Sequence, residues 1–294
     1  MLKRALAIHD ISCIGRCSLT VALPIISACG VECSVLPTCV LSTHTGGFTG
    51  FTFRDLTDDI EPISRHWQSL GEKFDAIYTG FLGTKTQINL VTDIIKTFRT
   101  KDNIILVDPV MADHGKLYSI FDMAYVEEMK TLVKAADVIA PNITEACLLT
   151  GTEYREGPYE KGYIEDLLNK FSVFGGGCDG GESSGSPTGG AKKIVLKGIT
   201  FDDKKIGAAV YADGAIEYIL GEKLDGVYHG TGDIFGSMLL SALLNGHNLT
   251  QSARFAVDYI IDSIKQSKNP KASKYGVDFE VPLAEYGIKL RREV

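Results

Sequence analysis

Short apolar runs alternate with longer segments of helical periodicity along most of the chain. Such short apolar runs, three to six residues long in this chain, are typical of buried strands. They predict strands at residues 5–8, 31–36, 76–78, 104–107, 138–140 and 193–197. The segments between them predict helices at residues 18–28, 56–70, 84–99, 123–135, 144–150 and 163–171. This alternation predicts an α/β fold with a mostly parallel sheet that is covered by helices on both faces.

The C-terminal third departs from strict alternation. Two strands, at residues 208–211 and 216–219, are joined by Asp213-Gly214, which predicts a β-hairpin. Two helices, at residues 233–244 and 250–266, close the pattern. A chain of 294 residues can form one large domain of this class, so we expect a single domain over residues 1–294. Residues 174–191 are rich in glycine and serine and predict a flexible loop.

Composition and charge exclude several classes of protein. The net charge of −7 argues against a nucleic-acid or anionic membrane surface, since both select basic patches. The chain has no run of 18 apolar residues, so no membrane-spanning helix is expected. Its N-terminal apolar run is too short for a signal peptide. Seven cysteines, an odd number, lie mostly in apolar surroundings, which favours small buried thiols over a zinc site. We therefore expect a reducing, cytoplasmic location.

The most informative motif lies at residues 229–237. Gly230-Thr231-Gly232 runs directly into an apolar helix that carries Asp233 in its first turn. Amides at a helix start lack intrahelical partners and attract anionic oxygens, so a carboxylate there suits a hydroxyl that attacks a phosphoryl group. Simple helix capping by Asp233 is the alternative interpretation. A dinucleotide fingerprint would require glycine at Phe235, and the chain has no Walker A ending.

Polar groups also follow several predicted strands. They are Asp10, Asp108, Asp113, Asn142 with Glu145, and Lys197-Gly198. Each has an ordinary structural explanation, such as a turn or a capping box. Because ligands bind at the carboxyl ends of parallel strands, the set as a whole indicates Mg²⁺ held by a few carboxylates, waters and nucleotide phosphates.

Three motifs together carry a family resemblance. Gly230-Thr231-Gly232-Asp233, Asn142-x-x-Glu145 and Asp108-Pro109-Val110-Met111 resemble the ribokinase superfamily, and Ser42-Thr43-His44-Thr45-Gly46 is similar to the substrate segment of pyridoxal kinases. The resemblance implies a ribokinase-like three-layer sandwich. It also implies ATP-dependent phosphorylation of the 5′-hydroxymethyl group of a vitamin B6 vitamer (pyridoxal, pyridoxamine or pyridoxine) in pyridoxal-phosphate salvage.

The resemblance also assigns roles to residues. It implies catalytic roles for Asp233 as base and for the anion hole of Gly230, Thr231 and Gly232. ATP is assigned to Asn142, Lys197, Gly198 and Asp113, and Mg²⁺ to Asp113, Glu145 and Asp108. The vitamer is assigned to Asp10, His44, Thr45, Phe81 and Tyr118. A monovalent cation such as K⁺ is a further candidate cofactor, and a homodimer without nucleic-acid or membrane partners is expected.

Asp10 departs from the family pattern, because pyridoxal kinases usually carry a small hydroxyl residue there. A carboxylate at this position could pair with a protonated amine and favour pyridoxamine, or it could be a neutral change. Two other functions stay open. One is a hydroxymethylpyrimidine kinase of thiamine synthesis, and the other is a vitamer-binding protein without turnover.

Overall fold

A central β-sheet organises the part of the chain that the computed structural model describes, residues 2–172, 193–267 and 274–292. The predicted loop at residues 174–191 lies outside these described residues. The sheet strands are β1 Arg4–Ser12, β2 Glu32–Leu41, β3 Phe53–Asp55, β4 Ala76–Thr79, β5 Ile104–Val107, β8 Val138–Ile139, β9 Lys193–Ile199, β10 Lys205–Ala212 and β11 Ala215–Glu222. A separate small hairpin consists of β6 Ala112–Asp113 and β7 Lys116–Leu117.

The sheet has a parallel centre and antiparallel edges. Its strand order is β11-β10-β9-β8-β5-β4-β1-β2-β3. The six strands from β9 to β2 run parallel to their neighbours, whereas β3, β10 and β11 are antiparallel. The central parallel strands β1, β4, β5 and β8 are mostly apolar and buried because helices cover both of their faces. Their carboxyl ends therefore lie along one edge of the sheet.

Helices form a layer on each face. They are α1 Leu19–Ala28, α2 Thr57–Leu70, α3 Lys85–Phe98, α4 Met123–Ala135, α5 Ile143–Thr150, α6 Lys161–Ser172, α7 Thr231–Leu244, α8 Leu249–Gln266 and α9 Glu280–Arg292. Helices α2 to α6 enclose one apolar core against the sheet, and α1 with α7, α8 and α9 encloses the other. The predicted three-layer α/β architecture is confirmed.

Two predictions about the elements were wrong. Strand β1 continues to Ser12, so Asp10 lies inside the strand and does not follow it. Backbone pairing between β1 and β2 continues across an irregularity between His9 and Ile11, and side-chain polarity does not prevent it. A third C-terminal helix, α9, was also missed. Its sequence is mostly polar and its apolar face is narrow, so the helical periodicity is weak. Tyr286 and Leu290 are buried on that face.

The predicted hairpin turn is confirmed. The Asp213-Gly214 turn has positive φ at both residues, 52° and 81°, as a two-residue hairpin of type I′ requires. The six described cysteines are free thiols, and four of them are buried. Among the described helices, none combines the length and apolarity needed to cross a membrane.

The contact between α7 and β4 leads to a stability prediction. A Cβ atom at Gly236 would lie 2.2 Å from the Tyr78 hydroxyl oxygen, and the buried aromatic ring cannot move away freely. We expect Gly236→Ala to lower the free energy of unfolding by about 1–3 kcal/mol, the usual cost of overpacking. The matched control is Gly162→Ala in α6, where a Cβ meets nothing within 4 Å. Urea unfolding should show loss for the first variant only, and equal effects would contradict the packing argument.

Candidate active site

The start of α7 forms the centre of the site. Gly230 precedes the helix with a φ of 77°, and a Cβ there would lie 2.0 Å from the Arg16 carbonyl oxygen. Only glycine fits this turn. The hydrogen bond from Ile234 N to Gly230 O, 3.1 Å long, closes the first helical turn. Helix geometry leaves the amides of Thr231, Gly232 and Asp233 without an intrahelical acceptor, so they can bind an anion.

Asp233 does not cap its own helix. The N-cap position of α7 has no side-chain hydrogen bond, and Asp233 Oδ2 accepts one from the Ser18 amide at 2.9 Å. Ser18 adopts φ 57° and ψ −131°, which residues other than glycine rarely do, at a cost of about 1–3 kcal/mol. The Asp233 carboxylate is therefore bound by a backbone amide of the β1–α1 connection, and the first amides of α7 have no side-chain cap. This geometry argues against the capping interpretation.

The pKa of the Asp233 carboxyl group lies close to neutral pH. Burial raises the pKa of Asp233 to about 7, and the negative charges of Asp10 and Asp108 act in the same direction. The Ser18 amide and the Lys197 ammonium oppose this rise. A carboxylate with a pKa near the working pH can accept a proton from a hydroxyl and release it again.

Lys197 brings positive charge to the same place. Its Nζ lies 2.6 Å from Asp108 Oδ2, and the two side chains are 12% and 1% exposed. A Cβ on Gly232 would lie 3.7 Å from that ammonium, so Lys197 lies beside the first turn of α7. Burial lowers the Lys197 pKa, but the negative charges of Asp108 and Glu145 outweigh the effect of burial and raise this pKa overall.

Asn142 and Glu145 lie at the start of α5 and form the capping box that their spacing allows. Glu145 accepts hydrogen bonds from the amides of Asn142, at 2.8 Å, and Met111, at 3.2 Å. Burial and the charge of Asp108 raise the Glu145 pKa to about 8. The bond from Lys197 N to Pro141 O, 2.8 Å long, joins this helix start to β9. Asn142 and Glu145 therefore cap α5, and Glu145 also belongs to the buried cluster of charged side chains with Asp108 and Lys197.

Asp113 lies apart from this cluster. It belongs to the β6–β7 hairpin, and its side chain is 55% exposed. Gly198 continues β9 beyond Lys197 with a φ of 77°. No group of three or more histidine, cysteine or acidic side chains with metal-binding geometry occurs within the described ranges. The structure brings Asp108 and Glu145 together and leaves Asp113 at the rim.

The residues predicted to contact the vitamer lie in three places. His44 Nδ1 accepts from the Gly46 amide at 3.2 Å, so Nε2 carries the proton and donates to Lys274 O at 2.7 Å. His44 therefore orders its own loop, in which Thr45 is exposed. Phe81 and Tyr118 both approach Phe121, with ring centroids 5.8 and 6.5 Å away. Asp10 is buried in β1 and accepts from the Ser12 hydroxyl at 3.2 Å.

Sequence reasoning assigned no role to His9, which is fully buried in β1 with Nδ1 3.9 Å from Asp233 Oδ1. It also missed Ser18, whose contribution is a backbone amide and leaves no trace in residue type. A signal for His9 was present, because a polar side chain directly after four buried apolar residues requires an explanation.

Comparison with known proteins identifies the family. The model of the phosphomethylpyrimidine kinase family matches residues 23–278. The chain belongs to the phosphomethylpyrimidine kinase family. Its fold matches that of a Bacteroides thetaiotaomicron protein, described as a candidate phosphomethylpyrimidine kinase and crystallised with pyridoxal, with a TM-score of 0.85 and 34% identity over 97% of this chain and 96% of that one.

Two further structures of this fold are pyridoxal kinases. The Lactobacillus plantarum enzyme is 28% identical, with a TM-score of 0.86 and coverage of 100% of this chain and 99% of that one. The Leishmania donovani enzyme, crystallised with ADP and pyridoxamine, is 21% identical, with a TM-score of 0.80 and coverage of 99% and 96%. The resemblance to pyridoxal kinases of the ribokinase superfamily is confirmed.

The buried ion pair generates a prediction. Lys197→Met leaves Asp108 buried without its cation, so the free energy of unfolding should fall by about 3–5 kcal/mol. Adding Asp108→Asn removes the stranded charge and should recover a large part of the loss. Lys193→Met, at the exposed start of the same strand, should change stability little. Urea unfolding of these four proteins and of Asp108→Asn alone tests this, and purely additive effects of the two changes would show that the pair does not interact.

Proposed function

We propose that this protein transfers the γ-phosphoryl group of ATP to the 5′-hydroxymethyl group of a vitamin B6 vitamer in pyridoxal-phosphate salvage. One observation carries the proposal. Asp233 lies at a helix start whose amides can bind anions, beside the Lys197 ammonium and with a pKa of about 7. This arrangement joins a proton acceptor to an anion site, which phosphoryl transfer to a hydroxyl requires.

The chain supplies position and charge to this reaction. The amides of the first turn of α7 and the Lys197 ammonium offset the negative charge of the transferred phosphoryl group. Asp233 Oδ2 is fixed by Ser18, which leaves Oδ1 to meet the attacking hydroxyl. Phosphoryl transfer has a loose transition state that requires little early proton removal, so correct placement of Asp233 matters more than strong basicity.

The vitamer is the acceptor that the surroundings favour. Phe81 and Tyr118 offer aromatic surface for a pyridine ring, and the exposed Thr45 offers a hydroxyl. The Bacteroides thetaiotaomicron relative was crystallised with pyridoxal, and the Leishmania donovani enzyme with ADP and pyridoxamine. These ligands support a B6 vitamer as acceptor and ATP as donor.

We further propose that Asp108, Glu145 and the rim residue Asp113 hold Mg²⁺ together with nucleotide phosphates and water. Asp108 Oδ1 is buried without a hydrogen-bond partner among the described residues, and a hard cation or its water would satisfy it. Bound Mg²⁺ would neutralise charge on the phosphates. We also propose that Asn142, which caps the helix of Glu145, and Gly198, next to Lys197 in β9, bind the nucleotide. The K⁺ requirement, the homodimer and the cytoplasmic location stay predictions.

A turnover screen tests the function. ATP-dependent phosphorylation should be measured with pyridoxal, pyridoxine, pyridoxamine and hydroxymethylpyrimidine. We expect kcat/KM to be highest for a B6 vitamer. Turnover of the pyrimidine alone would move the protein to thiamine synthesis, and vitamer binding without ATP consumption would make it a binding protein.

The first functional prediction concerns Asp233→Asn. The asparagine oxygen can still accept from the Ser18 amide, so folding and ATP binding should persist. Turnover should fall by about 10²–10⁴-fold, the usual contribution of a positioned acid or base. Asp93→Asn, on an exposed side chain of α3, serves as the control and should be as active as the wild type. Near-normal turnover of the Asp233 variant would remove this residue from the mechanism.

The second concerns vitamer preference. Asp10 is 5% exposed, and the described part of the chain gives it hydroxyl partners but no ion pair. A protonated amine of pyridoxamine would supply the missing cation, which is worth about tenfold to a hundredfold in kcat/KM over pyridoxal. Asp10→Ser should erode that preference and leave KM for ATP unchanged.

The outcome for Asp10 can be decided with two matched variants. Asp10→Asn keeps the shape and removes the charge, so it should lose the preference as well. Asp203→Ser, at an exposed turn, should keep it. If wild type does not prefer pyridoxamine, or if the ratio survives both changes at Asp10, this carboxylate does not recognise the amine.

A further inference from the structure

His9 is the least expected side chain near the site. It is fully buried in β1, and neither ring nitrogen has a hydrogen-bond partner within residues 2–172, 193–267 and 274–292. An unsatisfied buried polar group of this kind costs free energy, so its retention calls for an explanation. Its Nδ1 faces Asp233 Oδ1 at 3.9 Å.

The surrounding chain fixes the plane of the imidazole. The His9 ring meets the Tyr78 ring edge-on, with centroids 4.4 Å apart and an angle of 71° between the planes. Gly80 lies on the Nδ1 side, where a Cβ would approach that nitrogen to 2.1 Å. Any side chain at position 80 would displace the ring. Packing therefore holds Nδ1 towards Asp233.

His9 cannot act as a cation in this position. Burial lowers its pKa to about 3, so the ring is neutral throughout the range in which enzymes work. A neutral imidazole carries one N–H, on either Nδ1 or Nε2. An N–H on Nδ1 would point its positive end at the Asp233 carboxylate, whereas an N–H on Nε2 would place a lone pair there.

We propose that His9 is a positioning residue for Asp233, and that its neutral imidazole carries the proton on Nδ1 and donates to Asp233 Oδ1 as the reacting complex forms. The inference rests on the proposed kinase function. The present 3.9 Å separation is too long for a hydrogen bond and too short for an intervening water. Catalytic hydrogen bonds are often long in the unliganded protein and shorten in the complex.

The donor works together with the amide of Ser18. That amide holds Oδ2, and His9 would orient Oδ1 and stabilise the ionised form that accepts the proton from the hydroxyl. Other titratable groups also act on Asp233. They are Asp10 and Cys17 near β1, Tyr78 on β4, Asp108 after β5, Tyr118 after the β6–β7 hairpin, and Lys197 on β9. Cys17, Tyr78 and Tyr118 are also neutral, and His9 is singled out by a ring nitrogen that faces Asp233 Oδ1 at 3.9 Å.

Loss of the His9 donor should move the pH dependence of activity to higher pH. Asp233 works as a base when ionised, so activity is present above its pKa and is lost as the pH falls through it. Removing a donor that stabilises the carboxylate raises that pKa further. The acidic limb of the kcat profile should then move to higher pH, by about one unit for one hydrogen bond to a charged group.

A matched pair of variants separates the donor from the packing. Asparagine and leucine have nearly the same shape, but only asparagine can place an N–H where Nδ1 lies. For His9→Leu we expect the acidic limb of kcat to rise by about one pH unit. The loss in kcat should approach tenfold on the acidic side of the limb, and kcat should stay within about twofold of wild type at pH 9.5. His9→Asn should keep the wild-type limb within about 0.3 units.

KM for ATP should be the same in all three proteins, because His9 lies on the Asp233 side of the site. A structural role alone would lower kcat by the same factor at every pH in both variants. Equal limbs in wild type and His9→Leu, or equal shifts in His9→Asn and His9→Leu, would overturn the proposal.

A spectroscopic measurement covers the case in which His9→Leu does not fold. Nitrogen-15 NMR of the histidine rings in wild type at pH 8.5, assigned by comparison with His9→Asn, reports the tautomer directly. We expect a neutral ring protonated at Nδ1. Protonation at Nε2 would overturn the proposal. This readout requires no turnover, so a failed vitamer screen with the expected tautomer would count against the kinase function and leave the His9–Asp233 interaction standing.

Discussion

Negative charge held out of water at the end of a parallel sheet is the constraint on which this site depends. Asp10, Asp108, Glu145 and Asp233 all have pKa values raised first by burial. Lys197 is the cation that meets this group, and its ion pair with Asp108 is almost wholly shielded from solvent. Isolated buried charges are very costly, so this group is tolerated because backbone amides bind Glu145 and Asp233 while the Lys197 ammonium pairs with Asp108.

That constraint explains the local backbone. Glu145 receives two amides, from Asn142 and Met111, and Asp233 receives one from the unusual conformation of Ser18. Each carboxylate thus keeps an oxygen fixed by the main chain. The α7 amides stay out of these contacts, which preserves them for an incoming anion. The same arrangement that makes the carboxylates tolerable in the interior also prepares the site to receive phosphate oxygens.

Small residues make the close packing around Asp233 possible. Gly230 lets the chain turn against the Arg16 carbonyl, Gly236 admits the Tyr78 ring, and Gly80 leaves space for His9. At Gly236 and Gly80 the absent Cβ allows an aromatic side chain to approach, and at Gly230 it allows the backbone of the β1–α1 connection to approach. The site is therefore defined as much by where side chains are missing as by the acidic residues themselves.

The sequence by itself determined the parallel strands, the C-terminal hairpin and most of the helices, and it selected the candidate site residues, because apolar periodicity and helix-start motifs are local properties. Asp233 could be selected from its helix-start motif, and Lys197 and Glu145 as polar groups at the ends of strands. The sequence could not show that Asp233 accepts from Ser18, that Lys197 pairs with Asp108, or that His9 faces Asp233. Those contacts join residues 215, 89 and 224 positions apart. Their pKa values depend on burial and on neighbouring charges in three dimensions, so only the tertiary structure decided them.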